Sequence, residues 1–253
     1  MHPNELSQNL YLLIFTSLRI APVLAFAPPF TLVRIPPTIR VMLGFSLAGL
    51  FLFADPAGIP PPSGSQALMA IMAGSELFIG CVIALTLQLA FAAMLVAGRA
   101  IDIQAGFGLA AVVDPTSGNQ MPLIGTLFTY AAGAVFFSIG GASDLLSIWA
   151  HSLVLLPPGS VLPVPDLPAL LGFLSAAFFI AIGLSGTVLL ALFLIDLSVA
   201  FLSRTLPQMN VLLIGFQVKT LAVLAALPLA IAFSASTFFR LVRLALDSSL
   251  RLF

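Results

Sequence analysis

The sequence predicts an all-α integral membrane protein, and three observations carry that prediction. The chain of 253 residues is 60% hydrophobic and only 7% charged, where a soluble domain carries about 25% charged residues. Its apolar residues fall into stretches long enough to cross a hydrocarbon core, for which roughly 20 helical residues suffice. Proline- and glycine-rich segments punctuate the joins between them. Water cannot solvate a surface this poor in charge, so lipid or other apolar protein surrounds most of the chain.

Six stretches read as candidate spans. The first, Leu10 to Val33, follows MHPNELSQNLYLL, which lacks the basic region of a cleaved signal peptide, so it is expected to be kept as a membrane segment. The second, Ile39 to Ala54, is short and follows the Pro36-Pro37 turn. The third runs from Ala67 to Ala97 after the turn-rich segment Asp55 to Gly64. The fourth, Leu123 to Leu156, and the fifth, Ala169 to Leu202, flank Pro157 to Pro168. The third, fourth and fifth are long, so they tilt, kink or project beyond the bilayer. In the sixth, Val211 to Phe239, Pro228 and Lys219 predict a broken helix. The tail beyond is amphipathic, with Arg240, Arg243, Asp247 and Arg251 on one face, and reads as a helix at the membrane surface.

Charge placement leaves the topology open. Arg34, Arg40, Arg99 and Arg204 fall in the odd loops, which the positive-inside rule makes cytoplasmic. The basic tail joins them on that side only if the last segment is a hairpin that does not cross.

Residues 98–122, GRAIDIQAGFGLAAVVDPTSGNQMP, stand out from the apolar background. They read as a loop too polar and glycine-rich for a span, and long loops without regular structure are commonly functional. Gly106, Gly108 and Gly118 open backbone conformations closed to other residues, and Pro115 and Pro122 limit them. A plug inside a pore and a solvated connector fit these residues equally.

Five charged residues lie inside apolar stretches: Arg19, Glu76, Asp144, Asp196 and Lys219. Each costs at least about 2.5–3.5 kcal/mol at a bilayer centre, so each needs protein, water or a partner. Their signs allow Arg19 or Lys219 to pair with Glu76 or Asp196, between helices or between subunits. A proton or ion pathway is the functional alternative, but the acids are scattered and His151 has no acid three or four residues away. Gly44/Ala48 and Gly80/Ala84 offer small residues for close helix packing.

The chemistry-bearing motifs of enzymes are missing. The sequence has no phosphate loop and no zinc-protease motif, and no nucleophile elbow. Its single cysteine, Cys81, excludes an intrachain disulfide and a cysteine metal cluster. A formal net charge of zero gives no sign of nucleic-acid binding. No cofactor is implied, and the expectation is a protein that is no enzyme.

Three regions resemble the FliR-type export-gate proteins of flagellar and virulence type III secretion systems. Arg19 to Pro29 with Pro36-Pro37-Thr38-Ile39-Arg40 is the first. Glu76 and Gly80, then Gln104-Ala105-Gly106 through Val113-Asp114-Pro115 with Gly118, Gln120 and Pro122, is the second. The third joins Arg204, Pro207-Gln208-Met209-Asn210-Val211, Ile214-Gly215-Phe216 and Lys219. Gln217 departs from the family, which usually has proline there, as do Ala142 and Ser143 after Gly140-Gly141, where many relatives have histidine.

The resemblance implies a pore-forming subunit that does no chemistry. It implies a gate shared with FliP-type and FliQ-type subunits and an FlhB-type switch protein, conducting unfolded exported proteins. Its place would be the bacterial inner membrane, at a flagellar basal body or injectisome base. The chain would form one polytopic unit over 1–253, FliP-like over 1–202 with the pore loop at 98–122, and FliQ-like over 203–253 as a hairpin and tail. The plug would comprise Gly106, Phe107, Gly108, Val113, Asp114, Pro115, Gly118, Gln120 and Pro122. Polar contacts between helices or subunits would fall to Arg19, Arg40, Glu76, Asp196, Arg204, Pro207, Gln208, Asn210 and Lys219. The rival reading is a small-molecule or ion transporter that uses Glu76, Asp196 and Lys219, but the two related halves common in such proteins are missing.

Overall fold

A computed structural model describes residues 3–28, 30–33, 35–54, 65–107, 122–160, 166–205 and 211–251. Among these every regular element is an α-helix: α1 (Pro3–Phe26), α2 (Pro37–Ala54), α3 (Gln66–Ala105), α4 (Leu123–Ser138), α5 (Gly141–Leu155), α6 (Leu167–Thr205) and α7 (Val211–Arg251). The helices begin where the sequence supplies their missing hydrogen-bond partners. Pro37 opens α2 at a position whose N–H is not needed. Ser65 Oγ accepts the Leu68 N–H at 3.4 Å ahead of α3, and Asp166 Oδ1 accepts the Ala169 N–H at 3.3 Å ahead of α6.

The structure corrects the sequence reading in three places. Among the described residues four helices are long and apolar enough to cross a membrane, five if α4 and α5 count as one, and α2 is a shorter apolar helix. The α4–α5 pair bends by 70°. Gly140 takes a left-handed φ of 80° there, and a Cβ on Gly141 would lie 2.5 Å from the Phe136 ring. Second, Gly98 to Ala105 belong to α3, which runs eight residues beyond the expected span end at Ala97. Third, α7 continues unbroken through Pro228 and takes in the basic tail. The hairpin expected within 203–253 is therefore a single helix. Its antiparallel partner is α6, with Gly215 against Val199 and Lys219 against Asp196.

The chain divides into two compact units. The first comprises Met1–Leu89, Phe136–Phe173 and Val242–Phe253; the second comprises Ala90–Val135 and Leu174–Leu241. In the first, α1 and α2 pack as an antiparallel pair, with Gly44 facing Leu24 and Gly49 facing Leu13. Arg40 Nη1, in the first turn of α2, donates to the Ala25 carbonyl at 3.0 Å and so caps α1.

The centre of this unit is charged. Arg19 and Glu76 are both 0% exposed, and Arg19 Nε donates to Glu76 Oε2 at 2.7 Å. Arg19 Nη1 donates to the Ser152 carbonyl at 2.8 Å and to its hydroxyl at 3.3 Å. Its Nη2 donates to the Leu156 carbonyl at 2.8 Å. These carbonyls lie at the end of α5, where the helix dipole favours a cation; the Ser152 carbonyl also accepts the Leu156 N–H at 2.9 Å. Glu76 Oε1 accepts the Gly159 N–H at 3.0 Å, in a turn where Gly159 has a φ of 88°. Gly80 lets α1 reach this position, since a Cβ there would lie 2.3 Å from the Arg19 carbonyl oxygen.

In the second unit Phe91 and Phe238 meet edge to face at 5.1 Å. Here α6 and α7 are thinly covered by the chain itself. Only 22% of the most apolar window of α6 and 11% of that of α7 is buried. Phe178, Phe179, Phe193 and Phe201 are all more than half exposed. Such faces need lipid or other protein over them.

The buried pair makes a testable prediction. Arg19→Met alone should destabilise the chain by about 3–5 kcal/mol, because Glu76 is left as an uncompensated buried charge. The double variant R19M/E76M should recover a substantial part of that loss. The lone tryptophan, Trp149, is buried in the same unit. Its emission during detergent-denaturant titration reads both stabilities, and a double variant no better than the single would contradict the pairing.

Candidate functional site

The candidate site is the stem from which the segment after Gly106 departs and to which it returns at Pro122. It lies wholly in the second unit. On the upstream side, α3 ends in a Schellman arrangement. Gly106 adopts a φ of 87°, its N–H donates to the Ile103 carbonyl at 3.1 Å, and the Phe107 N–H donates to the Asp102 carbonyl at 3.0 Å. A glycine meets the left-handed requirement of this closure without steric cost.

The next carbonyl of α3 is met by a side chain from a distant part of the sequence. Lys219 Nζ, on α7, donates to the Gln104 carbonyl at 3.3 Å and pairs with Asp196 on α6. Gln104 Nε2 donates to Asp196 Oδ2 at 2.9 Å and completes a three-residue ring. The ring is partly open to its surroundings, with side-chain exposures of 18% for Lys219 and 37% for Asp196. An ammonium group against the last carbonyls of α3 also complements the helix dipole.

The downstream side is closed by Asp102. This carboxylate is only 4% exposed and accepts the Ile124 N–H at 3.0 and 3.1 Å and the Gly125 N–H at 3.2 Å. Those are orphan donors of the first turn of α4, so α3 supplies the anion that caps α4. The helices approach closely enough for this because both lack a side chain at the crossing. A Cβ on Gly98 would lie 2.4 Å from the Gly125 Cα, and one on Gly125 would lie 2.8 Å from the Leu95 carbonyl oxygen.

Of the residues singled out from the sequence, Arg19 and Glu76 meet in the first unit, and Asp196 and Lys219 meet at the stem. Arg40 caps α1, while Arg204 is exposed in the last turn of α6. Asp144 is exposed in the first turn of α5, so it lies at a helix end favourable to an acid. Gly106, Phe107 and Pro122 belong to the stem. Gly108, Val113, Asp114, Pro115, Gly118 and Gln120 lie outside the described residues, as do Pro207, Gln208 and Asn210.

Sequence reasoning passed over Asp102, Gly98 and Gly125. The available signal was an acid followed by a polar residue and glycine at the end of an apolar run, with a second glycine just inside the next one. That pattern marks a helix-end closure, but it does not announce the partner.

The Asp102 cap has a measurable value. Asp102→Asn keeps the shape and removes the charge, so it should cost about 1.5–3 kcal/mol, the range of hydrogen bonds to charged groups. Amide exchange at Ile124 and Gly125 should rise with it. Gly98→Ala should cost about 1–3 kcal/mol through overpacking, and a neutral effect on the same exchange would contradict the close approach.

Comparison with known proteins places this architecture. The chain matches the family of bacterial export proteins, family 1, over residues 10–245. It is 31% identical over 215 residues to the flagellar biosynthetic protein FliR of Bacillus subtilis (strain 168), covering 83% of this chain and 81% of that one. It is 30% identical over 211 residues to the FliR of Escherichia coli (strain K12), covering 82% of this chain and 78% of that one. The Yop proteins translocation protein T of Yersinia pestis is 28% identical over 174 residues, covering 68% of this chain and 67% of that one. With helices of membrane-spanning length and a match that takes in both charge clusters and the stem, the chain belongs to the bacterial export proteins, family 1.

Proposed function

We propose that this chain is a pore-forming structural subunit of a type III protein export gate in the bacterial inner membrane, with the Gly106–Pro122 segment as a plug. Family membership makes it a component of an export apparatus. The observation that supports the finer reading is the doubly anchored stem. The segment leaves α3 at a helix end tied to α6 and α7 and returns at a helix start capped by a buried acid.

The role is mechanical. Each member of the two ion pairs holds one helix against another, which accounts for these charges without a transported ion or a catalytic group. Glu76 in particular is fully buried against Arg19. The uncovered apolar faces of α6 and α7 suit sister subunits of FliP-type and FliQ-type, an FlhB-type protein and lipid. In this reading 1–202 forms the FliP-like part, and the helix within 203–253 joins the end of α6 as the FliQ-like part. Unfolded exported proteins pass through the assembled pore. Gln208 and Asn210 supply polar contacts between subunits, and Arg204 lies at the same end of α6.

Two experiments test this. Deleting Gly106 to Gly118 should leave the gate assembled and make it leak small solutes; unchanged permeability in intact complexes would remove the plug. Affinity purification of the tagged chain from native membranes should recover small apolar partners in one stable complex, and Q208A/N210A should weaken that complex in mild detergent. Recovery of the chain alone would contradict the subunit role.

A further inference from the structure

We infer that Lys219 is a conditional cap of α3, through which the α6–α7 hairpin controls the order of the helix end at Gly106. The inference concerns described residues of the second unit and does not depend on the plug reading. It starts from the carbonyls at the end of α3. In the Schellman closure the Asp102 carbonyl is met by Phe107 and the Ile103 carbonyl by Gly106. The Gln104 carbonyl is next in line, and its donor is Lys219. The backbone at this turn thus satisfies two of its carbonyls itself and borrows a donor for a third from α7.

Lys219 holds that position in company with Asp196. The carboxylate pairs with the ammonium group and also accepts from the Gln104 side chain at 2.9 Å. Asp196 therefore grips the same residue of α3 twice, once directly and once through Lys219. The hairpin itself is kept in register by the close approach of Gly215 to Val199, where an added Cβ would lie 3.2 Å from the valine methyl. A displacement of α6 against α7 acts on the ring, and the ring acts on the end of α3.

The two sides of the stem differ in kind. Asp102 is buried and bonded to backbone amides, so the cap at the start of α4 is shielded from what surrounds the unit. The Asp196–Lys219 pair is partly exposed, and the strength of such a pair follows the dielectric around it. Covering α6 and α7 with lipid or protein strengthens it, and water weakens it. The upstream side responds to what lies over the hairpin, and the downstream side does not.

Hydrogen exchange of the full chain in detergent micelles tests this. Asp196→Asn and Lys219→Met should each speed exchange of the Gly106 and Phe107 amides about tenfold, while Ile124 and Gly125 stay unchanged. Lys219→Arg should retain protection, since it keeps a cationic donor. The exchanged pair D196K/K219D keeps opposite charges but leaves Gln104 without the Lys219 donor, so it too should lose protection. Wild-type exchange in K219M would overturn the cap. So would restoration by the exchanged pair, which would reduce Lys219 to a simple ion-pair partner. A rise of equal size at Ile124 and Gly125 would show general loosening and overturn the separation of the two sides. Should K219M fail to accumulate, D196N and D196K/K219D carry the same test.

Discussion

The structure depends first on the burial of one ion pair. Removing Arg19 and Glu76 from solvent is costly, and their mutual attraction offsets that cost only when the remaining polar atoms are also met. Here they are: the guanidinium reaches the carboxylate, the Ser152 carbonyl and hydroxyl and the Leu156 carbonyl, and the carboxylate also receives Gly159. Several other features follow from that requirement. Gly80 must lack a side chain so that α1 can approach α3. The bend at Gly140–Gly141 sets α5 apart from α4 as a separate helix, whose terminal carbonyls Arg19 receives. The left-handed turn at Gly159 presents an amide to Glu76. An apolar chain with few charges has spent two of them on defining which helices meet, at what height.

The same logic recurs in the second unit with a different balance. Asp102 does for α4 what Arg19 does for α5: a charge from one helix satisfies the exposed end of another. Lys219 does likewise for α3. Charges in this protein thus work largely at helix ends, where dipole and orphan groups give them partners that do not need a second charge. Asp144 in the first turn of α5 and Arg204 in the last turn of α6 follow the same sign rule at exposed positions. The difference between the clusters is burial. The Arg19 cluster is sealed, while the Lys219 ring opens to whatever surrounds α6 and α7.

Much of this was legible from the sequence, for physical reasons that also explain what was not. Composition and apolar run length gave the helical membrane class, because both register the solvent directly. The charge signs limited the possible pairs, but pairing depends on helix packing, which no local pattern reveals. Asp102 was hidden because Gly98 and the polar residues around it look like loop; Gly98 is there for the crossing with Gly125, and the helix runs on to Ala105. Hydropathy overcounted the spans at α2, since apolar content does not separate a crossing helix from a short one. Pro228 suggested a break that did not occur. A proline removes one hydrogen bond and need not end a helix whose neighbouring bonds continue, and α7 continues to Arg251.

The uneven covering of the helices bears on how such a subunit works. A self-sufficient membrane protein would bury the polar ring and leave only lipid-facing apolar surface. This chain buries its Arg19 cluster completely and leaves the Lys219 ring partly open beside two helices that it barely covers itself. The Arg19 cluster is thus met entirely within the first unit, while the strength of the ring follows what lies over α6 and α7. The upstream half of the stem is tied to the ring, so its order follows the same covering.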